Sequence, residues 1–117
     1  MIDKGFEAKA YVLDVANRSA VFQLIEQAVS DFGELAVFVN NAGVAFIDSI
    51  IDSDSERVER LFDVNIKGTY WGIQAAATQF KKQGHGGRII NAASLASVEG
   101  SALQSAYSAS KLSLIHI

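Results

Sequence analysis

Three short apolar segments alternate with longer segments of helical periodicity, and this alternation is the strongest constraint on the fold of the chain. The strand-like segments are residues 10–15, 36–39 and 88–91. Strands that alternate with helices are typical of βαβ units, which join parallel strands through a covering helix. The sequence therefore predicts an α/β fold with a partial, doubly wound parallel sheet of three strands. The second segment is apolar throughout, which predicts a strand that is covered on both faces.

The helical segments have recognisable ends. Apolar residues recur every three or four positions from Val21 to Phe32, with Asn17 or Ser19 as the candidate N-cap and Gly33 as the candidate stop. Residues 53–56, Ser-Asp-Ser-Glu, predict a capping box that opens a helix to about residue 61. Two further helices are predicted over residues 63–83 and from about residue 105.

Composition excludes several classes of protein. The 117 residues include no cysteine, which rules out disulfides, thiolate metal sites and a catalytic thiol. No apolar run approaches the roughly 20 residues that a membrane span needs. Because the net charge is −3, a basic nucleic-acid-binding face is not expected. We expect a single cytoplasmic domain with no metal site that binds neither nucleic acid nor membrane.

Tyr107 and Lys111 are the first candidates for chemistry. They are four residues apart on the last predicted helix and therefore share one face of it. A cation close to a tyrosine favours the phenolate, which general acid–base work by tyrosine requires. Taken alone, such a pair also arises by chance.

Ser94 follows the third predicted strand, thirteen residues before Tyr107. Parallel sheets bind ligands at the carboxyl ends of their strands, so this hydroxyl could orient a substrate carbonyl towards the tyrosine. The alternative is that Ser94 is an ordinary polar residue of a loop rich in serine and alanine. Asn65 lies near the start of the long predicted helix, where asparagine is unfavourable by propensity. This position indicates either a functional role or a plain exposed side chain.

Two other strand ends carry candidate binding residues. Residues 40–43, Asn-Asn-Ala-Gly, follow the second strand, and small residues there would let a ligand approach the backbone closely. Asp14 and Val15 end the first strand, where the acid could accept from an amino group and the valine could cover an aromatic base. The alternatives are a strand-ending turn at 40–43 and a helix cap or solvated acid at Asp14.

Together these features resemble the short-chain dehydrogenase/reductase family. The matching residues occur in the order and approximate spacing of that family: Asp14-Val15, Asn40-Asn41-Ala42-Gly43, Asn65, Ser94 and Tyr107-Ser-Ala-Ser-Lys111. Residues 70–76 and 80–92 are similar to the bacterial diacetyl/acetoin reductases (2,3-butanediol dehydrogenases) within it. The resemblance implies a Rossmann-like fold and an oxidoreductase. Its reaction would be reversible hydride transfer between NAD or NADP, with NAD favoured, and a small ketone or secondary alcohol such as diacetyl, acetoin or butanediol.

The resemblance also implies a role for each residue. Tyr107 would be the general acid/base, Lys111 would favour its phenolate and hold the nicotinamide ribose, and Ser94 would polarise the substrate carbonyl. Asn65 would hold a water that links Lys111 to solvent. The remaining implied contacts are Asp14 and Val15 with the adenine, Asn41, Ala42 and Gly43 with the cofactor near its ribose, and Leu95 with the substrate. The parent protein would be a homodimer or homotetramer, assembled through the 63–83 helix and the helix that bears Tyr107.

The chain departs from the family pattern at both ends. No glycine-rich turn precedes Asp14, and the strand that selects between NAD and NADP has no counterpart, so residues 1–111 are expected to be an incomplete Rossmann domain. Residues 112–117, Leu-Ser-Leu-Ile-His-Ile, match the translated end of a transposon-based sequencing adapter, and we expect an adapter-derived tail; the alternative is a divergent helix. Because the retained strands lack their central partners, the 117-residue chain is expected to fold poorly and to be inactive by itself.

The residue after Ser94 leaves the substrate open. The resemblance implies a glutamine at this position in the diacetyl/acetoin reductases, whereas this chain has Leu95. The change favours a less polar substrate. The alternatives are another short-chain reductase, such as a 3-oxoacyl or sugar dehydrogenase, and a non-catalytic α/β binding module.

Overall fold

The computed structural model describes residue 5 and residues 7–117. Two strands, four α-helices and two short irregular helices make up this part of the chain. A π-helical segment, Asp63–Gly68, joins the second and third α-helices without a break, and a single 3₁₀ turn, Leu95–Ser97, follows the second strand. The regular elements are α1 (Arg18–Phe32), β1 (Val37–Asn40), α2 (Ser55–Phe62), α3 (Thr69–Gln83), β2 (Arg88–Asn91) and α4 (Ser105–Leu114).

The strands β1 and β2 pair in parallel, with Val37 opposite Arg88 and Asn40 opposite Asn91. The connection between them contains α2 and α3, as a parallel crossover requires. The predicted α/β class with a parallel sheet is confirmed.

The predicted count of three strands is wrong for the described residues, where the sheet has two. Residues 10–15 form no strand, because within residue 5 and residues 7–117 no strand lies beside them to take their backbone hydrogen bonds. Side chains hold this segment instead. The Tyr11 hydroxyl donates to the Asp31 carboxylate at 2.5 Å, and Lys9 forms an ion pair with the same carboxylate at 2.7 Å.

The core lies between the sheet and two helices that cover the same face of it. Val21 and Ile25 of α1 pack against Ala75 and Ala76 of α3, and all four side chains are at most 3% exposed. The prediction that the strand at 36–39 is covered on both faces is wrong for the described residues. On the other face, apolar side chains of both strands are about half exposed: Val37, Val39 and Ile90.

The predicted helix ends are correct for α1 and shifted for α2. The Asn17 side chain accepts from the Ala20 amide at 3.1 Å, and Gly33 ends α1 with φ of 95°. The predicted capping box at 53–56 does not form. The helix begins at Ser55, so Asp54 is the N-cap and accepts from the Arg57 amide, whereas Ser53 precedes the cap and its hydroxyl donates to the Ser49 carbonyl at 2.9 Å.

The ends of α3 and α4 can be compared with the predicted helix over residues 63–83 and the one from about residue 105. Gly84 ends α3 in the left-handed conformation, with φ of 79°. The last helix begins at Ser105 as predicted and continues to Leu114, which is 4% exposed. The adapter origin of residues 112–117 stays a prediction. None of the helices in the described ranges has both the length and the apolar character needed to cross a bilayer.

Candidate active site at the carboxyl ends of the strands

The candidate site lies where β1 and β2 end and where α4 and the π-helical segment meet them. Nδ2 of the Asn40 side chain donates to Oδ1 of Asn91 at 3.0 Å, and the backbone N–H of Ala92 donates to the backbone carbonyl of Asn40 at 2.9 Å. These bonds keep the two strand ends together as the chain leaves the sheet. The loops that follow therefore start from fixed positions.

Lys111 is buried at the centre of this site. Its side chain is on α4, the residue is 5% exposed, and Nζ donates to the Ala92 carbonyl at 2.7 Å. Nζ lies 6.0 Å from the centroid of the Tyr107 ring. Gly43 lies against it as well, since a Cβ at that glycine would be 3.4 Å from Nζ. The structure thus brings Tyr107 and Lys111 together with the loop after β1, although that loop is far from both residues in sequence.

Asn65 is fully buried in the π-helical segment, so the alternative of an exposed side chain is wrong. Its Oδ1 accepts from the Val44 amide at 2.8 Å, and its Nδ2 donates to the Val44 carbonyl at 2.9 Å. Nδ2 also donates to the Ser110 hydroxyl of α4 at 3.0 Å. The side chain therefore ties the loop after β1 to the helix that carries Tyr107 and Lys111.

Ser94 and Leu95 stand at the edge of the site. The Ser94 hydroxyl accepts from the Ala96 amide at 3.2 Å, and its backbone amide donates to the Ser97 hydroxyl at 3.2 Å. These two bonds cap the 3₁₀ turn and fix the half-buried serine after β2. The Leu95 side chain is 71% exposed. No hydrogen bond joins Ser94 to Tyr107 in the part of the chain that the structure describes.

Five of the seven predicted cofactor-binding residues line two adjoining cavities, whereas Tyr107 and Lys111 line neither of them. Asp14, Val15, Ala42 and Gly43 surround an open cavity of about 400 Å³. A smaller cavity of about 150 Å³ is lined by Asn41 together with Val15 and Ala42. The loop after β1 thus forms one wall and residues 14–15 form another, even though the two segments are not joined by strand pairing.

Both carboxylate oxygens of Asp14 are engaged. One accepts from the Ala16 amide at 2.9 Å, and the other accepts from Arg60 of α2, also at 2.9 Å. The Arg60 guanidinium, aided by the Ala16 amide, holds the pKa of the Asp14 carboxyl below its usual value. Asp14 is therefore ionised at neutral pH and its orientation at the rim of the larger cavity is set by two donors.

Gly68 of the π-helical segment and Gly72 of α3 allow neighbouring segments to pack closely against this continuous helix. A Cβ at Gly68 would be 2.9 Å from the Val15 side chain. At Gly72 a Cβ would overlap Oδ1 of Asn40 and would be 2.8 Å from the Phe38 ring. Such distances are shorter than van der Waals contact, so Val15 and the end of β1 can sit where they do only because these positions have no side chain.

Three residues of the site were not identified from the sequence. Arg60 holds Asp14, Val44 supplies two of the three hydrogen-bond partners of the Asn65 side chain, and Ser110 supplies the third and links Asn65 to α4. Ser110 lies inside the motif that begins at Tyr107, and its position directly before Lys111 was the one available signal. The other two are brought to the site by tertiary contacts that no local pattern shows.

Comparison with known proteins gives the class of the chain. Residues 2–117 match the family model of the short chain dehydrogenases. The chain therefore belongs to the short-chain dehydrogenase family, and the predicted family resemblance is confirmed.

Two relatives show which members of the family the chain is similar to. The chain is 45% identical over 112 residues to the diacetyl reductase ((S)-acetoin forming) of Staphylococcus epidermidis, which covers 96% of this chain and 44% of that protein. It is 37% identical over 102 residues to the L-2,3-butanediol dehydrogenase of Corynebacterium glutamicum, covering 87% and 40%. The chain thus spans less than half the length of the curated relatives it matches.

Solved structures show the same fold. A crystal structure of NAD⁺-bound xylitol dehydrogenase superimposes with a TM-score of 0.91 and 35% identity, over 97% of this chain and 44% of that one. The structure of ElxO with NADP bound gives a TM-score of 0.84 and 30% identity, over 91% and 43%. The Rossmann-like architecture is therefore confirmed, and the two neighbours hold different nicotinamide cofactors.

Proposed function

We propose that this chain carries the catalytic centre of an NAD(P)-dependent oxidoreductase that interconverts a small ketone and a secondary alcohol, such as diacetyl, acetoin or butanediol. The observation that supports it best is that Lys111 lies close both to the Tyr107 ring and to Gly43, which lines an open cavity. The names of the diacetyl reductase and butanediol dehydrogenase relatives support the substrate class.

The residues around the larger cavity fit a nicotinamide cofactor. Gly43 presents backbone without a side chain close to Nζ of Lys111, so a ribose can approach that backbone beside the ammonium group. The Asp14 carboxylate can accept from the amino group of adenine, and Val15 offers an apolar surface to its ring. The bound cofactor would supply or accept the hydride. Asn41, Ala42, Gly43, Tyr107 and Lys111 would hold its ribose end.

In this mechanism the chain handles the proton. The Tyr107 hydroxyl protonates the alkoxide that forms when the ketone is reduced, and the phenolate takes the proton back in the reverse direction. Lys111 stabilises the phenolate by its charge, since its ammonium is held close by the Ala92 carbonyl. Ser94 orients the substrate carbonyl. Asn65 holds the loop of Val44 in place, and its Oδ1 and Nζ of Lys111 both lie close to Gly43, where a water relay to solvent would begin.

The test requires a complete enzyme, because relatives are more than twice the length of this chain. We would build a chimera in which this chain replaces the matching segment of the Staphylococcus epidermidis diacetyl reductase. Tyr107→Phe in the chimera is expected to lower kcat by about a hundredfold or more, which is the usual contribution of general acid–base catalysis. Tyr11→Phe, at a tyrosine whose hydroxyl bonds Asp31 and which belongs neither to the candidate site nor to the proposed assembly surface, is the matched control. Full activity of Tyr107→Phe would overturn the proposal.

A second candidate within the same family is a reductase for a different carbonyl compound, such as a 3-oxoacyl or sugar substrate. The exposed Leu95 beside Ser94 supports it, because an apolar side chain at the edge of the site offers no hydrogen bond to a hydroxyketone. Substrate profiling of the chimera with Leu95 and with Leu95→Gln separates the candidates. A gain of at least tenfold in kcat/KM for acetoin in Leu95→Gln would favour the other substrate class for the natural chain. Measuring KM for NAD and NADP in the same assays decides the cofactor.

The assembly and location of the parent protein are part of the proposal. We propose a cytoplasmic homodimer or homotetramer that associates through residues 63–83 and α4. Tyr70 is half exposed on that helix and packs edge-on against Trp71, so an aromatic surface is available there. Light scattering of the chimera and of its Tyr70→Glu variant tests this surface, since a buried glutamate would dissociate the assembly. An unchanged mass would refute the assignment.

A further inference from the structure

Ser110 lies between two of the proposed catalytic residues and is completely buried. Its hydroxyl donates to the Tyr107 carbonyl at 2.7 Å and accepts from Nδ2 of Asn65 at 3.0 Å. The single hydroxyl thus uses its donor and one acceptor position at once. It joins the turn of α4 that carries Tyr107 and Lys111 to the π-helical segment.

We propose that Ser110 is a positioning residue for the Tyr107–Lys111 pair, an inference that rests on the proposed function. Val44 holds the Asn65 amide with two bonds, Asn65 holds Ser110, and Ser110 holds the backbone of Tyr107. The rotation of α4 about its axis is therefore fixed from outside the helix, at the turn where the reacting hydroxyl originates.

The second partner is what distinguishes Ser110 from an ordinary helical serine. Serines often donate to the carbonyl three or four residues back, with little consequence for neighbouring elements. Ser113 does this on the same helix, donating to the Ser110 carbonyl at 2.6 Å, and it is only partly buried. Ser110 adds the bond to the buried Asn65. Loss of its hydroxyl would leave one N–H of that amide unpaired and would free the turn of α4 from its support.

The experiment compares Ser110→Ala with Ser113→Ala in the chimera. Both changes remove a hydroxyl that bonds the helix backbone, and only the first removes a link to another element. For Ser110→Ala we expect a decrease in kcat of about ten- to a hundredfold, the usual effect of a small misplacement of a reacting group. The KM for the cofactor should change less than about threefold, because three of the five proposed ribose contacts (Asn41, Ala42 and Gly43) lie in the loop after β1 and not on α4. Ser113→Ala should retain the kcat of the parent chimera.

A conservative variant separates positioning from folding. Ser110→Thr keeps the hydroxyl and should recover most of the kcat that Ser110→Ala loses. Should Ser110→Ala fail to fold, Ser110→Cys replaces it, because sulfur fills the site but makes weaker hydrogen bonds. A folded Ser110→Cys with reduced kcat and unchanged cofactor KM supports the proposal. A wild-type kcat in folded Ser110→Ala or in folded Ser110→Cys overturns the proposal.

Failure of this inference differs from failure of the proposed function. When Tyr107→Phe is inactive and Ser110→Ala is fully active, the function stands and the positioning role falls. When Tyr107→Phe is itself active, the proposed chemistry falls, and a loss in Ser110→Ala then has no bearing on the tyrosine.

Discussion

The Asn65 side chain makes a matched pair of hydrogen bonds with the backbone of Val44, accepting from its N–H at 2.8 Å and donating to its C=O at 2.9 Å. An amide side chain presents its donor and acceptor as a neighbouring strand would, so it satisfies a loop residue that has no strand partner. The loop after β1 is thereby fixed beside Lys111. Asparagine is unfavourable in a helix by propensity. At position 65 its presence is explained by the hydrogen bonds that it makes to Val44 in the loop, and not by any need of the helix.

Asn65→Ala should therefore destabilise the fold strongly. The change leaves the Val44 N–H and C=O without their partner and empties a fully buried site. We expect a loss of about 2–4 kcal/mol in the free energy of unfolding, measured by urea denaturation of the chimera. Asn41→Ala, at an exposed position, should change it by less than about 0.5 kcal/mol. Equal losses in the two variants would refute the importance of the Val44 bonds.

Gly72→Ala should also destabilise the chimera, because the added methyl overlaps Oδ1 of Asn40 and approaches the Phe38 ring. Overpacking of this kind costs about 1–3 kcal/mol. Gly86→Ala is the matched control, since a Cβ there meets nothing within 4 Å. Thermal unfolding of both variants gives the comparison. A melting temperature for Gly72→Ala equal to that of Gly86→Ala would show that the end of β1 moves without strain.

Arg60→Gln should raise the pKa of Asp14 towards its ordinary value of 3.8, because the guanidinium is the main cause of its depression. A depressed folded-state pKa means that this ion pair stabilises the fold above pH 3.8 and that the stabilisation is lost as the pH falls through the folded-state pKa. An NMR titration of the Asp14 carboxyl measures the change. Since both side chains are about half exposed, added salt should reduce it.

The control for this titration is Arg57→Gln. Arg57 forms a comparable surface pair with Asp48, with its nitrogen 3.4 Å from the carboxylate. It makes no contact with Asp14 in the described structure, so the Asp14 titration should be unchanged. A shift of equal size in both variants would assign the effect to net charge and not to the Arg60 contact.

The 117-residue chain expressed alone is expected to unfold without a sharp transition and to bind NADH no more tightly than millimolar. The reason is the uncovered face of the sheet, where Val37, Val39 and Ile90 are each about half exposed. Calorimetry and a fluorescence titration with NADH test this, with the chimera as the positive control. A cooperative melt together with a micromolar Kd would contradict the expectation.

The sequence was informative wherever structure depends on local patterns. Asn17 and Gly33 mark the ends of α1 as predicted, and the Tyr107–Lys111 spacing placed both residues on one face of α4. Residues 10–15 were mispredicted for a physical reason. An apolar, β-branched segment indicates the ability to form a strand, but a strand exists only where another pairs with it.

Tertiary contacts account for the residues that were missed. Arg60 reaches Asp14 across 46 positions of sequence, and Asn65 reaches Ser110 across 45. Neither pair has a local signature, because a hydrogen bond between distant segments leaves no periodic pattern in either one. Strand-end position, helix propensity and helical spacing indicated Asp14, Asn65 and Lys111 as candidates, and the family resemblance implied their roles. Their supporting neighbours are apparent only from the three-dimensional structure.

The absence of side chains at Gly68 and Gly72 has a consequence for how this sequence can diverge. The two positions are one helical turn apart, and each leaves space for a different segment, Val15 at the first and Asn40 at the second. A mutation at Gly68 would be transmitted to the cavity rim, whereas one at Gly72 would be transmitted to the strand end that leads into the catalytic loop. Drift at either position is therefore constrained by partners 53 and 32 residues away, and compensating changes should be sought at Val15 and Asn40 and not within the helix.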